Sequence, residues 1–226
     1  MLNDFISLFF PNYCLACNRG LAKGEKLLCL KCEYNLPKTD SHLHHDNFIA
    51  SKFYGRAKLL HAVARYKFNK SGKVQRLLHR LKYGDKPELG TLMGSEYGKE
   101  LREANFSEHY DVIVPVPLHK KKLRRRGYNQ SAMFGTGLSE SLELPQYENA
   151  LVRNIYTSTQ TKKSRLDRLK NVKTIFGYNK EVSLSGLSVL LVDDVITTGA
   201  TLEACIEALT EAGATSIGVA AIASAK

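Results

Sequence analysis

One segment restricts the fold of this chain more than any other: an apolar strand that leads into two adjacent carboxylates and a turn of threonine and glycine. The segment is Val189–Thr201, with the sequence VLLVDDVITTGAT. Its strand, LSVLLVDD, is apolar on both faces, as in the interior of parallel sheets. A helical pattern (TGATLEACIEALTEAG) and a second apolar strand (TSIGVAAIAS) follow it. Because strand, helix and strand alternate, the sequence predicts an α/β fold with a right-handed parallel crossover.

The preceding part of the chain carries further strand and helix patterns. Apolar residues spaced i, i+3, i+4 and i+7 from Val74 to Leu81 predict a helix that starts after Ser71. A proline near the first turn predicts a second helix over Pro87–Ala104. Strands are predicted for LHAVARYKF, YDVIVPVP and VKTIFGY, and helices for GYNQSAMFGTGLSESL and RLDRLKN.

The turn after the acidic pair has the chemistry of a phosphate and metal site. Asp193 and Asp194 end the strand, where ligands of open α/β sheets bind, and carboxylates suit ribose hydroxyls and Mg²⁺. Gly199 allows close backbone approach, and the N-terminus of the next helix favours a phosphate. The candidate phosphate-binding residues are Thr197, Thr198, Gly199, Ala200 and Thr201. The alternative is that the acids merely end a strand and a threonine caps the helix.

A second candidate site is the basic segment Val114–Gln130, VPVPLHKKKLRRRGYNQ, in which six cations lie within eight residues. Guanidinium groups bind phosphate through two parallel hydrogen bonds, and an aromatic ring beside them could stack a base. The candidate phosphate or nucleic-acid contacts are Lys121, Lys122, Arg124, Arg125, Arg126 and Tyr128. The alternative is a solvated basic loop. A second cluster, Lys162–Lys170, either extends this surface or is only a charged helix face.

Net charge and the N-terminus bear on partners and location. The net charge is +11, which favours nucleic acid, phosphorylated metabolites or an acidic surface as partners, or serves solubility alone.

No apolar run reaches the roughly 20 residues that span a bilayer. The first residues, MLNDFISLFF, lack a basic region and a cleavage site, so we predict a docking helix rather than a signal peptide. A reducing cytoplasm is the expected location.

Four of the five cysteines lie in two CxxC pairs, CLAC and CLKC. Each pair places two thiolates on one side of a tight turn, and two pairs supply four sulfurs for tetrahedral Zn²⁺. The predicted ligands of this structural zinc are Cys14, Cys17, Cys29 and Cys32. Redox pairs and an iron–sulfur centre are the alternatives.

The segment Val189–Thr201 resembles the signature of type I phosphoribosyltransferases, which bind 5-phosphoribosyl pyrophosphate (PRPP) with Mg²⁺. The resemblance implies that Asp193 and Asp194 hold the ribose hydroxyls and that the following turn holds the 5′-phosphate. It also implies that the turn after the earlier strand, Pro117, Leu118, His119 and Lys120, binds pyrophosphate. Purine-salvage members often carry an acidic base where this chain has Thr197, which puts that chemistry in doubt here.

A four-cysteine module before such a domain resembles the ComF family over essentially the whole chain. The resemblance rests on the CxxC pairs, LKYGDKPELG, VPVPLHKKKLRRRGYNQS and VLLVDDVITTGAT. It implies cytoplasmic handling of single-stranded DNA in natural transformation, with protein partners in DNA uptake. The predicted parts are a zinc module (1–36), a linker (37–57) and a phosphoribosyltransferase-like domain (58–226). A true phosphoribosyltransferase acting on an unidentified nitrogenous acceptor is the alternative function.

Overall fold

The structure is a computed structural model that describes residues 12–153 and 175–226. The predicted N-terminal docking helix, the RLDRLKN helix and the basic cluster Lys162–Lys170 lie outside these residues. In the described ranges the α-helices are α1 (Leu30–Asn35), α2 (Lys73–Tyr83), α3 (Pro87–Glu103), α4 (Lys120–Arg126), α5 (Gln130–Leu142) and α6 (Ala200–Glu211). The strands are β1 (Ala62–Phe68), β2 (Val112–Pro115), β3 (Leu151–Arg153), β4 (Phe176–Tyr178), β5 (Ser188–Ile196) and β6 (Ser216–Ala225).

The main sheet of the described chain is parallel, with the strand order β1-β6-β5-β2. Strand β5 pairs with β6 along its whole length, from Ser188 to Ile196. Its pairing with β2 ends earlier, at Val192 opposite Pro115. Strand β5 therefore continues past the end of β2, and the two acids that follow Val192 lie beside an open edge of the sheet.

Both faces of the sheet are covered, as the continuous apolar strands predict. Alternate residues of a strand point to opposite faces. On β5, Leu190 and Val192 belong to a core shared with α2, α3 and α5, whereas Val189 and Leu191 belong to a second core shared with α6. The predicted α/β fold with a phosphoribosyltransferase-type parallel sheet flanked by helices is confirmed.

The segment 37–57, predicted as a linker, is packed against the sheet. It contains two 3₁₀ turns, Ser41–Leu43 and Ala50–Phe53. Ile49 and Phe53 are completely buried in the core on the α6 side. The polar composition of residues 37–47 predicts a linker. The two buried apolar residues come after that polar stretch, so its composition gives no sign of them.

Two smaller features complete the described fold. Strands β3 and β4 pair antiparallel, with Leu151 opposite Tyr178, and β3 is not predicted from the sequence.

The cysteine-containing segment packs on the core that includes α2, since Cys14, Leu15 and Leu28 belong to the same buried cluster as Leu77. None of the helices in the described ranges is long and apolar enough to span a membrane.

Candidate functional site

A cavity of about 480 Å³ opens where β2 and β5 end. The acidic pair and Thr197 line it from β5 and the following turn. Pro117 and Leu118 line it from the segment after β2. Helix α2 forms the opposite wall, and the first residues of α5 close one end. The cavity therefore lies at the carboxyl edge of the parallel sheet, where α/β folds bind their ligands.

The two predicted acids are held in different ways. Asp193 accepts hydrogen bonds from Ser131 Oγ, at 2.9 Å, and from the backbone N–H of Asp194, at 2.8 Å. Asp194 pairs with Lys82, whose Nζ lies 2.9 Å from Oδ2 and 3.0 Å from Oδ1. Burial, with the neighbouring charge of Asp194, raises the pKa of Asp193 to about 7. One acid is thus neutralised by a proton near neutral pH and the other by a lysine.

The predicted phosphate turn leads into α6 as expected, and Gly199 is the residue before the helix. Its φ of +82° belongs to the left-handed region. A Cβ atom at this position would lie 2.9 Å from Cε1 of Phe53. From the same segment, Arg56 donates to the carbonyl of Thr198 at 3.0 Å and to Glu203 at 2.7 Å. Residues 37–57 therefore brace the turn, through the packing of Phe53 and the hydrogen bonds of Arg56.

A second helix N-terminus points into the cavity, which the sequence does not predict. Asn129 caps α5 by accepting from Ser131 N at 3.2 Å, and it also donates to the carbonyl of Val116 at 3.0 Å. Asn129, Gln130 and Ser131 line the cavity. The N-terminus of α5 thus offers an anion-favouring end at this cavity, which Thr201 of α6 also lines, whereas Thr198, Gly199 and Ala200 line a small pocket of about 40 Å³ beside it.

The predicted pyrophosphate turn is divided between the cavity and a helix. Pro117 and Leu118 line the cavity. His119 instead caps α4, because its side chain accepts from Lys121 N at 3.1 Å. Lys120 is exposed in the first turn of α4. The candidates of the turn are therefore split, and only the first two border the space where a ligand fits.

The basic segment forms the short helix α4 rather than the loop that its charge density predicts. Lys122 and Arg126, four residues apart, lie on one face and line the cavity. Arg124 and Arg125 are exposed on other faces, as is Lys121. Burial and the charges of Arg153 and Arg126 lower the pKa of Lys122. Lys122, Arg126 and Arg153 thus lie close together at the cavity, where a bound anion would reduce the repulsion between their charges.

The aromatic candidate Tyr128 is used for packing. Its hydroxyl donates to the carbonyl of Leu81 at 2.6 Å and accepts from Lys86 N at 3.2 Å, so it ties α2 to α3. Another ring, Tyr83, is 59% exposed at the mouth, and the guanidinium of Arg126 lies 5.1 Å from its centroid. Tyr83 is therefore better placed than Tyr128 to meet a base.

Several cavity residues are not among those that the sequence predicts. Lys82 and Ser131 hold the acids, and Arg153 enters from β3. Phe68, Gln75, Leu78, His79 and Tyr83 form the wall on the α2 side. Lys82 lies in LKYGDKPELG and Ser131 ends VPVPLHKKKLRRRGYNQS, two of the family segments, so that signal could have found them. Arg153 has no such signal.

The four predicted metal ligands are brought together. The Sγ atoms of Cys14, Cys17, Cys29 and Cys32 all lie within 4.8 Å of one another. Cys17 Sγ and Cys29 Sγ are 3.7 Å apart, which is about the sulfur–sulfur separation that tetrahedral Zn–S bonds of roughly 2.3 Å require. Burial and the neighbouring thiols raise the pKa of Cys32 to about 12, whereas at Cys14 burial is outweighed by backbone N–H groups, that of Cys29 first among them, which lower the pKa to about 7. The cluster is compatible with a structural zinc.

Comparison with known proteins gives a family model, curated relatives and a solved structure that are similar to this chain. Residues 129–226 match the family model of the phosphoribosyl transferase domain. The DNA utilization protein YhgH of Escherichia coli O157:H7 is 30% identical over 209 residues, 91% of this chain and 87% of the relative. Competence protein ComFC of Bacillus subtilis is 28% identical over 214 residues, 85% of this chain and 82% of the relative. The purine phosphoribosyltransferase of Pyrococcus horikoshii Ot3 covers 62% of this chain and 73% of its own, with 23% identity and a TM-score of 0.38.

The parallel sheet, the acidic pair at its edge and the matched domain define a protein of the phosphoribosyltransferase-domain class. The similarity to the relatives extends beyond this domain into the cysteine-containing part, since it covers up to 91% of the chain. The chain belongs to the ComF family.

Proposed function

We propose that this protein binds PRPP with Mg²⁺ in the cavity and handles single-stranded DNA during natural transformation. One observation carries the first part: the acidic pair, the N-terminus of α5 and Thr201 at the start of α6 line one cavity of about 480 Å³. A ligand with a diol between two phosphate groups matches this arrangement, because the carboxylates can accept from the hydroxyls and the helix N-termini can bind the phosphate groups. The diol would bind Asp193 and Asp194, the 5′-phosphate the turn before α6, and the diphosphate the end of α5 and the cations of α4.

Mg²⁺ fits the donor set at the same edge, because adjacent carboxylates are hard oxygen ligands. Asp193 and Asp194 would hold it. When bound, the ion neutralises charge on the diphosphate. The chain's own part is to orient the ligand: Ser131 fixes the rotamer of Asp193, and Lys82 holds Asp194.

Ligand-induced stabilisation tests the PRPP site. PRPP with Mg²⁺ should raise the melting temperature of the wild type, and the rise should grow with the logarithm of the ligand concentration above Kd. Asp194→Asn should abolish the shift, whereas Glu211→Gln, at the exposed far end of α6, should keep it. An unchanged melting temperature of the wild type at millimolar PRPP, or an equal shift in Asp194→Asn, would remove the support for this site.

The DNA-handling part is supported by the outward cations of α4 and by the names of the relatives, a DNA utilization protein and competence proteins. Arg124 and Arg125 are exposed on α4, and the exposed ring of Tyr83 lies 5.1 Å from the guanidinium of Arg126 on the same helix. A polynucleotide backbone could follow these cations while a base stacks on the ring. Protein partners in DNA uptake and a cytoplasmic location are part of the same proposal.

Salt dependence tests the DNA surface. Wild-type affinity for a single-stranded oligonucleotide should fall steeply with salt, and Arg124→Ala with Arg125→Ala should reduce the slope of log K against log salt by about 0.7 for each lost contact. The matched control is Arg102→Ala, an exposed arginine on α3. Affinity that is the same in high salt, or that is unchanged in the double variant, would contradict the proposal.

A second candidate function has its own observation. The wall formed by Phe68, Leu78 and Tyr83 faces the acidic pair and offers apolar and aromatic surface for a planar acceptor. An active phosphoribosyltransferase would form a bond from the acceptor nitrogen to C1 of PRPP as the bond from C1 to pyrophosphate breaks. Positioning and charge stabilisation would drive such a step.

Pyrophosphate release tests this candidate. Bases and amines should be screened as acceptors with PRPP and Mg²⁺, with and without single-stranded DNA. Release should depend on an acceptor and disappear in Asp193→Ala and Asp194→Ala. A screen without release, on protein that binds PRPP, would leave the ligand-binding function and eliminate the transferase.

A further inference from the structure

Helix α2 lies between the cysteine module and the cavity and contacts both. Its buried stripe, Val74, Leu77, Leu78 and Leu81, packs in the same cluster as Cys14 and Cys29. Its other residues turn to the cavity on one side and to the module on the other. Eleven residues are marginal as an isolated helix in water, so the position of α2 depends on what surrounds it.

On the module side, two arginines of α2 hold the first CxxC turn. Arg76 Nη1 donates to the carbonyl of Ala16 at 2.6 Å. Arg80 Nη2 makes a longer bond of 3.4 Å to Oδ1 of Asn18. Ala16 lies between the cysteines of the turn and Asn18 follows the second. The carbonyl that Arg76 binds is therefore placed by the same turn that the four-sulfur cluster requires.

On the cavity side, α2 carries the cation that pairs with the acidic pair. Lys82 lies nearly two turns after Arg76, and its Nζ is 2.9 Å from Asp194. Two further residues of α2, His79 and Tyr83, form part of the cavity wall. A small rotation or shift of α2 would move Lys82 and this wall together relative to β5.

We propose that Arg76 is a positioning residue through which the metal-loaded cysteine module fixes α2, and with it Lys82, at the edge of the PRPP cavity. The consequence for PRPP rests on the proposed function; the consequence for α2 does not. Zinc would fix the conformation of the first CxxC turn, this turn would present the Ala16 carbonyl, and Arg76 would lock α2 against it. Loss of the metal would then weaken the cavity without any change in a residue that touches the ligand.

Hydrogen exchange on the full-length chain tests the positioning directly. Chelation of zinc should increase amide exchange in Lys73–Tyr83 while the amides of α6, on the other face of the sheet, keep their protection. Unchanged exchange in α2 after zinc has left would overturn the proposal. If α6 also loses protection, the chain has unfolded as a whole, and the Arg76 variants, which keep all four cysteines, decide the question.

Arg76→Ala should keep its zinc, increase exchange in α2, and weaken PRPP binding about fivefold to tenfold, because only part of the free energy of one charge-assisted hydrogen bond is transmitted to the cavity. Arg76→Lys can still donate to the carbonyl, so it should recover most of the protection of α2 and most of the affinity for PRPP. Arg102→Ala, which loses an exposed bond to Glu143, is the matched control and should change neither. Zinc-loaded Arg76→Ala with wild-type exchange in α2 would overturn the proposal. A wild type that binds no PRPP would instead defeat the proposed function, with the exchange result still deciding the positioning.

Discussion

Asp193 shows how one residue can link folding, pH and ligand binding. It accepts from Ser131 and from the N–H of Asp194, yet its burial and the adjacent carboxylate raise its pKa to about 7. Two adjacent carboxylates that line a cavity, one of them with a raised pKa, are typical of a binding site. Mg²⁺ or a ribose diol would be the ligand.

The raised pKa of Asp193 predicts opposite pH effects on stability and on ligand binding. The folded chain holds this proton more tightly than the unfolded chain, so the group's contribution to stability is fully present below the ordinary pKa of 3.8 and is lost as pH rises through about 7. In the proposed function PRPP binds with Mg²⁺ to the ionised carboxylate, so its affinity should rise about tenfold from pH 6 to pH 8.

Asp193→Asn separates these two effects. It should increase the free energy of unfolding at pH 8 by on the order of 1–2 kcal/mol, because it removes a buried charge. It should also remove the pH dependence of whatever PRPP binding is left. Urea unfolding and titrations at both pH values measure this. A destabilised variant at pH 8 would contradict the role assigned to the carboxyl group.

Gly199 predicts a second effect at the residue scale. Gly199→Ala places a side chain at a φ of +82° and 2.9 Å from the buried Phe53, so it should cost about 2–3 kcal/mol of stability. Gly186→Ala has a similar φ of +80° but open space around it and should cost only about 1 kcal/mol. Equal losses in urea unfolding would show that Phe53 does not brace the phosphate turn.

The sequence predicts one side of each acid–partner contact but not the other. Asp193 and Asp194 stand out because they follow an apolar strand. Their partners do not, since Ser131 is 62 residues and Lys82 is 112 residues away along the chain. Such contacts are set by the packing of α2 and α5 on the sheet, for which local periodicity carries no information.

At the scale of elements, periodicity predicts the long helices and buried strands well. The predicted helix after Ser71 is Lys73–Tyr83, and the predicted helix Pro87–Ala104 is Pro87–Glu103. The sequence does not predict α4, because six cations suggest a solvated loop and not a short helix capped by His119. It also misses β3, whose three residues are too few to show alternation.

Helices α3 and α5 pack so closely that glycine is required where they cross. A Cβ atom added to Gly94 would overlap the carbonyl oxygen of Phe134 and come 3.1 Å from Cα of Gly137. Gly94→Ala should therefore force the helices apart and cost about 2–3 kcal/mol, even though alanine favours helices. Urea unfolding measures this. A neutral or stabilising change would show that the two helices are not held at this separation.

For the molecule as a whole, three parts converge on one cavity. The sheet supplies the acids, residues 37–57 brace the phosphate turn through Phe53 and Arg56, and the cysteine module holds α2 through Arg76. The sequence predicts a module, a linker and a domain in line. That division into parts stays a prediction, but the contacts give the first two parts a structural role in the third.

Calorimetric titration of PRPP into the zinc-loaded chain, in buffer with Mg²⁺ and in buffer without it, tests the central claim most directly. The account predicts saturable heat at one site per chain when Mg²⁺ is present, a much weaker response when Mg²⁺ is omitted, and no response in Asp193→Ala with Asp194→Ala. No heat from PRPP on folded wild-type protein, or the same heat in the double variant, would contradict it.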